Sequence, residues 1–389
     1  MEDTRVMIAT PTMGEVSIQF TEALANMILM TSCPIEMATV IRKMHHRART
    51  ELAEKFLASD CSHILFLDDD NIPKPHDLNK LLELNLPIVS GLYFRRIPPF
   101  EPIIILENDG SMERRPDLYR SGDKTPFKVH STGMGFILIK REVIEKVKAL
   151  GVPLFDVRGN IGEDIWFCLQ VNTAGYYIMC APDVEVGHLG EKTMITGETY
   201  MDYYEKNIMG LVKEAETVDG WQSFQELHVL AEAASMSELV IEVGSYKGRS
   251  ATVLSLAKRV VCVDLWAEDG EYKWDQDVWD NVFSKFMKVE EKYPNIQHLR
   301  GNSNDLAGNF PEESADMIFI DGGHVYEQVK KDIENYLPKL KRNGKMYFHD
   351  YIYPEYGVKQ AIDEYLDNHK YEIKGRQVSG TSLYEFIKL

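Results

Sequence analysis

Short apolar runs alternate with amphipathic stretches along the whole chain, which is the pattern of parallel α/β sheets. In the first half RVMIATPT, HILFLDDD, PIVSGLYF, EPIIILEN, GMGFILIK and YYIMCAPDVEV are β-type runs. Apolar spacing predicts helices from the first run to Met30 and around Arg47–Ser59. In the second half SELVIEVGS opens the series and a helix follows to Lys258. VVCVDLW, ADMIFIDGGH and GKMYFHDY are then strands that each end in an acid. TGETYMDYYEKNIMGLVKEAETVDGW joins the halves with helical periodicity and a charged, glycine-punctuated end. The expectation is two α/β domains, residues 1–211 and 218–389, with a linker at 212–217. About 210 and about 170 residues are each enough for an independent core.

Composition narrows the class. Hydrophobic residues make up 44% and charged residues 27%, ordinary for a globular chain and too apolar for disorder. Lys plus Arg number 43 against 61 Asp plus Glu, a net charge of -18. Such a surface repels polyanions, so a sequence-independent nucleic-acid binder is not expected. Small anions stay open where a metal ion or backbone amides supply local positive charge. The five cysteines, Cys33, Cys61, Cys168, Cys180 and Cys262, are odd in number and lack CxxC spacing. They fit reduced thiols rather than a disulfide framework or a zinc ribbon. MEDTRVMIATPT carries no signal-peptide pattern, and the most apolar helical stretch, Ala23–Met30, is too short to span a bilayer. A cytoplasmic protein without a transmembrane segment is expected, with a homo-oligomer left open.

The sharpest polar feature of the first half is Asp68-Asp69-Asp70 at the end of HILFL. A buried strand that delivers carboxylates to its C-terminal edge places them in the crevice where α/β sheets bind ligands. Alternation sends Asp68 and Asp70 to one face and Asp69 to the other. Like charges that close need a cation or hydrogen-bond donors, and hard oxygen ligands suit Mg2+ or Mn2+, which can clamp a diphosphate. The same acids also suit a plain acidic loop, with Asp77 capping the next helix. Arg47 and Arg49, one helix earlier, can reach a phosphate, and for Arg49 a solvated helix face is preferred. His45 and His46 lack metal-ligand spacing and read as surface.

After the acids come NIPKPHDLNKLLELNLPIVSGLY, TGMGFILIKREVIEKV, the helix start Gly162-Glu163-Asp164-Ile165-Trp166, and Gly187-His188-Leu189-Gly190. In that order they resemble the GT-A glycosyltransferases, especially the family-2-like enzymes, over nearly all of residues 4–206. The resemblance implies a GT-A nucleotide-diphospho-sugar transferase fold and a divalent ion, Mn2+ or Mg2+, that carries a nucleotide-sugar. It implies Asp70 and His188 as metal ligands, Asp68 near the ribose or the metal, and Thr10 of Thr10-Pro11-Thr12 beside the nucleotide base. Asp164 is then the base that faces the acceptor, with Glu163 the competing assignment. The ion neutralises the diphosphate leaving group, and a base takes the acceptor proton if the anomeric centre inverts. Acids are favoured in a first helical turn in any case. The segment Glu101–Lys128, rich in charge, Gly and Pro, maps onto no shared motif.

In the second half LVIEVGSYKGRS, Leu239–Ser250, is a strand, a glycine turn at Gly244 and Gly248, and a helix start. Its G-x-x-x-G spacing departs from the dinucleotide fingerprint. VVCVDLW ends in Asp264, about twenty residues past the turn, where an acid can hold both ribose hydroxyls. Gly301-Asn302-Ser303 follows a short strand and falls near an adenine. Asp321-Gly322-Gly323-His324 and His349-Asp350-Tyr351 end the next two strands.

IEVGSYKGRSA, FIDGGHVYEQVKKDI and GKMYFHDY resemble the class I methyltransferases from about Val218 to Leu389. Within that class they are similar to the macrocin-type sugar O-methyltransferases and cephalosporin-hydroxylase-like proteins. The resemblance implies a Rossmann-like fold that binds S-adenosyl-L-methionine through Glu242, Gly244, Gly248, Asp264 and Ser303. It also implies Mg2+ at Asp321, His349 and Asp350, with His324 as general base. His349 stands where those relatives carry an acid. A bound ion lowers the pKa of a sugar hydroxyl, and a histidine titrating near neutrality can take the proton. His324 also suits a helix N-terminus bonded to backbone. Trp266 can flank the adenine or pack in the core, and Asp332 reads as a solvated helix face.

Together the halves imply a bifunctional enzyme acting on glycans, in which tethering raises the effective concentration of a shared acceptor. The alternative is a methyltransferase whose degenerate GT-A domain only recognises the glycan. A binding protein without chemistry is disfavoured, because Asp68, Asp70, Asp164, Glu242, Asp264, Asp321 and Asp350 are more acids than a metal-free module needs at its strand ends.

Overall fold

The computed structural model describes residues 4–108, 111–114, 116–159, 161–190, 193–268, 273–369 and 371–389. The chain divides into two compact units, Met1–Tyr203 and Tyr204–Leu389. In the first, Val6–Thr12 pairs in parallel with Ile35–Ile41 on one side and His63–Leu67 on the other. Phe136–Lys140 runs antiparallel between His63–Leu67 and Ile88–Leu92. Ile178–Glu185 and Phe127–Val129 complete a mixed seven-stranded sheet. Strand alternation sorts the core into two layers. Met7, Ile64 and Phe66 pack with Leu52 and Phe56 of the helix His45–Ala58. Val6, Ile8, Leu65 and Leu67 pack with Phe20, Met27, Leu78 and Leu81 on the opposite face. Each such burial is worth about 1.5–3 kcal/mol, and covering both faces is why these strands read as unbroken apolar runs.

Asp68, Asp69 and Asp70 lie beyond the last strand residue, Leu67, on a turn in which Asn71 N–H donates to the Asp68 carbonyl at 3.1 Å. Strand alternation therefore does not govern them, and Asp68 and Asp70 take different partners rather than sharing a face. Asn71–Ile72 enters a small sheet with Gly187–Leu189 and Met194–Ile195, which brings His188 to the acids. Asp77 is not the cap of the next helix. It is that helix's first residue, and its carboxylate accepts Lys74 N–H at 2.7 Å.

The second unit has the strand order Ile296–Arg300, Arg259–Asp264, Leu239–Val243, Ala315–Ile320, Leu340–Phe348, Tyr384–Lys388, Ile373–Gln377. The first five are parallel and the last two join antiparallel. The order reverses between Leu239–Val243 and Ala315–Ile320, the place where such sheets open a crevice at their carboxyl ends. Ile241, Val243, Ile318, Ile320 and Phe348 pack against Ile333 and Tyr336 of the helix Tyr326–Tyr336. Residues 212–217 run across the end of the helix Gly210–Ala215, inside the second unit.

Two charged residues expected on solvated helix faces are buried instead. Arg49 is 3% exposed, whereas Arg47 is on the surface, and Asp332 is 0% exposed. Spacing explains both corrections. Arg49 lies three, four and seven residues before Leu52, Ala53 and Phe56, and Asp332 is three after Val329 and four before Tyr336, all buried. Among the described residues no helix is long and apolar enough to cross a membrane. All five cysteines are unpaired.

Candidate functional site

The switch point of the second unit is built by backbone proximity. Gly244 has φ 88°, and a Cβ there would lie 2.0 Å from the Asp321 carbonyl oxygen, so no other residue lets the two strand ends approach this closely. The turn is tied down by Asp264, whose carboxylate accepts N–H from Ser245, Tyr246 and Trp266, each at 2.8 Å. Tyr246, Trp266 and Asp350 hold positive φ of 47°, 44° and 63°, strain that concentrates where a site over-determines the backbone. A cavity of about 1380 Å³ opens here, lined among others by Gly244, Asp264, Ser303, Asp321, His324, His349 and Asp350.

The structure does not bring every expected residue to that wall. Glu242 is 0% exposed beneath the loop and accepts the Ser245 hydroxyl. Burial pushes its carboxyl up to about 7, against the pull of bonds from Ser245, Ser250 and Cys262. Gly248, φ 90°, caps the helix Arg249–Leu254 and also stays off the lining. Trp266 is a core residue, 0% exposed and packed on Phe283 and Phe286. Asp332 reaches the cavity instead, accepting from Ser303 Oγ at 2.7 Å and Gln328 Nε2 at 3.1 Å. Burial pushes it up to about 6, and those two bonds hold it back.

Next to the glycine turn the acids and histidines form one connected group. His324 Nε2 lies 2.9 Å from Asp350 Oδ2, and its ring stacks on Tyr356 with centroids 4.4 Å apart. His349 Nδ1 lies 3.1 Å from both Asp321 Oδ1 and Asp350 Oδ2. Its Nε2 lies 3.4 Å from Glu226 Oε2, and Gln222 Nε2 donates to Asp321. Burial works against charge on His349, but Asp321, Asp350 and Glu226 outweigh it and hold the ring protonated. Burial likewise opposes charge on Asp350, yet bonds with His324 and His349 lower it to about 2. One donor atom each from Asp321, His349 and Asp350 lies within 4.8 Å of the others. Two carboxylates and an imidazole at that spacing fit a divalent ion.

In the first unit Arg49 is the centre of the arrangement. Its Nη2 lies 2.9 Å from Asp68 Oδ2 and its Nε 3.5 Å from Glu163 Oε1. Burial disfavours its charge, but Asp68 and then Glu163 more than restore it. Asp70 Oδ2 lies 2.9 Å from Arg96 Nη1 and 3.4 Å from His188 Nε2. Burial would raise Asp70, and His188 and Arg96 together bring it below the usual range. His188 Nδ1 lies 2.6 Å from the Phe94 carbonyl. The ring thus presents one nitrogen to the Phe94 carbonyl and the other to Asp70. Asp164 is the second residue of the helix Glu163–Thr173, capped by Gly162, and burial raises its carboxyl. The Thr10 side chain is buried within Val6–Thr12, and its hydroxyl has no hydrogen-bond partner among the described residues.

The sequence pattern does not single out Glu226 or Gln222. The signal for Glu226 was the spacing Ser223-x-x-Glu226, which marks a helix cap. The cap is present, but the same carboxylate also reaches Ser382 and His349.

Residues 241–351 match a family model described as a methyltransferase domain. The second unit therefore carries a methyltransferase domain. An uncharacterised protein of Sinorhizobium fredii is 25% identical over 126 residues, 30% of this chain and 14% of that protein. An uncharacterised protein of Acanthamoeba polyphaga mimivirus is 26% identical over 137 residues, 33% of this chain and 58% of that protein. The chain thus spans less than two thirds of either relative. Among solved structures, the S-adenosylhomocysteine-bound methyltransferase of Podospora anserina is similar with TM-score 0.35 and 15% identity, covering 49% of this chain and 94% of that one. A putative caffeoyl-CoA O-methyltransferase from Staphylococcus aureus gives TM-score 0.35 and 17% identity, covering 49% and 98%.

Proposed function

We propose that the protein is a bifunctional glycan-modifying enzyme. The second unit methylates a sugar hydroxyl with S-adenosyl-L-methionine, and the first transfers a sugar from a nucleotide-sugar. The observation that carries the methyl-transfer reading is the His324–Asp350 pair, which lines one cavity together with Asp264 and the Gly244 turn. The cofactor, when bound, supplies a methyl group already activated for attack by oxygen. Asp264 sets the Ser245–Tyr246 turn and faces the ribose hydroxyls. Asp350 orients His324 through Nε2, and that imidazole is the base for the acceptor's proton. Stacking on Tyr356 keeps that ring in place. Asp219, Glu226, Glu268, Glu327 and Glu355 also line the cavity, against Arg249 and Lys331. That balance favours a neutral, hydroxyl-rich acceptor over an anionic one.

In the first unit Asp70 and His188 would hold the divalent ion that neutralises the leaving diphosphate. Asp164, its carboxyl raised by burial, would take the acceptor proton, and Asp68 would sit by the ribose. A second reading keeps the methyltransferase and makes the first unit a glycan-recognition module. It is favoured by one observation: Asp68 and Asp70 are each already paired with an arginine.

Calorimetric titration with S-adenosyl-L-methionine tests the second unit, and absence of binding would end the methyl-transfer reading. Nucleotide release from a panel of UDP-, GDP- and dTDP-sugars, with Mn2+ and with EDTA, tests the first. Metal-dependent release of one nucleotide supports the transferase, and silence across the panel with the cofactor still bound favours the recognition module.

A further inference from the structure

Glu226 is held more firmly than a helix cap requires. It accepts N–H and Oγ–H of Ser223 at 2.7 and 2.9 Å, and N–H and Oγ–H of Ser382, both at 2.7 Å. Four donors from two segments fix the carboxylate, so it cannot swing into the cavity. What it does reach is the far nitrogen of His349, 3.4 Å away and 4% exposed at the side chain. The near nitrogen, Nδ1, points between Asp321 and Asp350 at 3.1 Å from each.

A carboxylate behind an imidazole, with further carboxylates in front, is the arrangement that orients a metal-bound histidine. The rear acid takes the one N–H, fixes the tautomer, and leaves the front lone pair for the ion. Nothing in methyl transfer itself asks for Glu226, and a cap alone does not need Ser382. The donor set also carries a preference. Mg2+ favours all-oxygen, near-octahedral shells and keeps its waters, whereas imidazole suits the later first-row ions.

We propose that Asp321, His349 and Asp350 form a site for a first-row transition ion of the Fe2+, Co2+ or Zn2+ kind in preference to Mg2+, with Glu226 as the positioning residue that fixes His349. The inference rests on the methyl-transfer reading for what the ion does, holding an acceptor oxygen, but not for whether it binds. The ion takes the place that the Nδ1 proton otherwise fills.

The test uses the full chain carrying Asp70→Asn and His188→Ala, which silences the other candidate ligands, with Co2+ as probe and neither cofactor nor acceptor present. Equilibrium dialysis should find one Co2+ per chain, retained against a roughly hundredfold excess of Mg2+. Asp321→Asn should remove it. His349→Asp should narrow the Co2+ over Mg2+ preference by about tenfold or more, because it restores an all-oxygen set. Glu226→Gln should weaken Co2+ binding by roughly 10- to 100-fold and shift its visible absorption bands, which a purely structural role would not move. Pulsed EPR of the Mn2+-loaded protein should show nitrogen hyperfine coupling, and this readout stands even if the His349 variant fails to fold. No bound Co2+, Co2+ that persists after Asp321→Asn, or no nitrogen coupling would each overturn the proposal. Cofactor binding without Co2+ would overturn the ion and spare the methyl-transfer reading, and Co2+ without cofactor binding would do the reverse.

Discussion

Both sheets gather acids at their carboxyl edges, and they neutralise them differently. In the first unit most partners are arginines: Arg49, buried, on Asp68 and Glu163, and Arg96, half exposed, on Asp70, which His188 also meets. In the second they are histidines, His324 and His349, set among Asp321, Asp350 and Glu226. A guanidinium stays charged at any pH a protein meets and neither lends a lone pair nor gives up a proton. An imidazole does both near neutrality. The first edge is therefore held largely by fixed ion pairs, with the His188 imidazole also at Asp70. The second edge is held by imidazoles, one of which, His349, the acids around it keep charged. The same residue type at the same place in a sheet thus carries different chemistry according to its counter-charge.

The sharpest way to break the comparison is to remove the buried arginine. Arg49→Met leaves Asp68 and Glu163 facing each other without a cation. Unpairing a buried charge costs about 3–5 kcal/mol, and these two acids keep some access to water, so the lower part of that range is expected. Urea unfolding of the full chain should show a first transition weakened by about 3–4 kcal/mol. Arg49→Lys should recover only part, because one ammonium cannot serve both carboxylates as the planar fork does. A loss under about 1 kcal/mol would mean the frame does not depend on this residue.

Next in size is the buried acid under the glycine loop of the second unit. Glu242 keeps its proton in the folded chain up to about pH 7, while its ordinary value is 4.5. Between those values the folded state binds more protons than the unfolded one, so stability falls as pH rises through the window. The full effect is on the order of 3 kcal/mol. Glu242→Gln should flatten the profile between pH 5 and pH 8 and be the more stable protein at the alkaline end. Parallel wild-type and variant profiles would show that Glu242 is already ionised in this range.

Much of this was legible in the sequence. The strands of both units and the acid-tipped ends of the second follow from apolar runs, because a strand covered on both faces leaves an unbroken signature. Asp321, His324, His349 and Asp350 do converge, since each ends or follows a strand on one side of the switch point. What stayed hidden was the burial of Arg49, Asp332 and Glu242 and the further partners of Glu226. Arg49 and Asp332 sit at core spacing on their helices, but their charge argued for solvent, and only tertiary partners decide between the two. Glu226 carried a cap signal that was true and incomplete, because Ser382 and His349 reach it from 156 and 123 residues away. Glu242 was placed at the ligand, although strand alternation at the end of Leu239–Val243 turns it under the loop.

A smaller effect separates cofactor binding from the ion-pair frames. Asp264 accepts three backbone N–H groups with charge-assisted geometry. Asp264→Asn keeps the size but replaces one acceptor oxygen with a donor, which faces an N–H that it cannot satisfy. Hydrogen bonds to charged groups are worth about 1.5–3 kcal/mol, so S-adenosyl-L-methionine affinity should fall roughly 10- to 100-fold. Calorimetry measures it directly, and a change under about twofold would detach the turn from the cofactor.

The smallest expected effect falls on the exposed arginine of the first unit, and it tests what the frame is for. Arg96 is 55% exposed at the side chain, and its pair with Asp70 should contribute at most about 0.5–1 kcal/mol. Arg96→Gln should leave the urea transition nearly unchanged. Its effect should appear in Mn2+ binding instead. Asp70 faces both Arg96 and His188, and a divalent ion placed between Asp70 and His188 must share the carboxylate with the guanidinium. Like charges at that distance oppose each other even near a surface, so removing Arg96 should raise Mn2+ affinity a few-fold, with the gain shrinking as salt rises. Weaker Mn2+ binding would mean that Arg96 positions Asp70 for the ion rather than competing with it. The first unit's arginines would then be part of a working site, and the recognition-module reading would lose the observation that favours it.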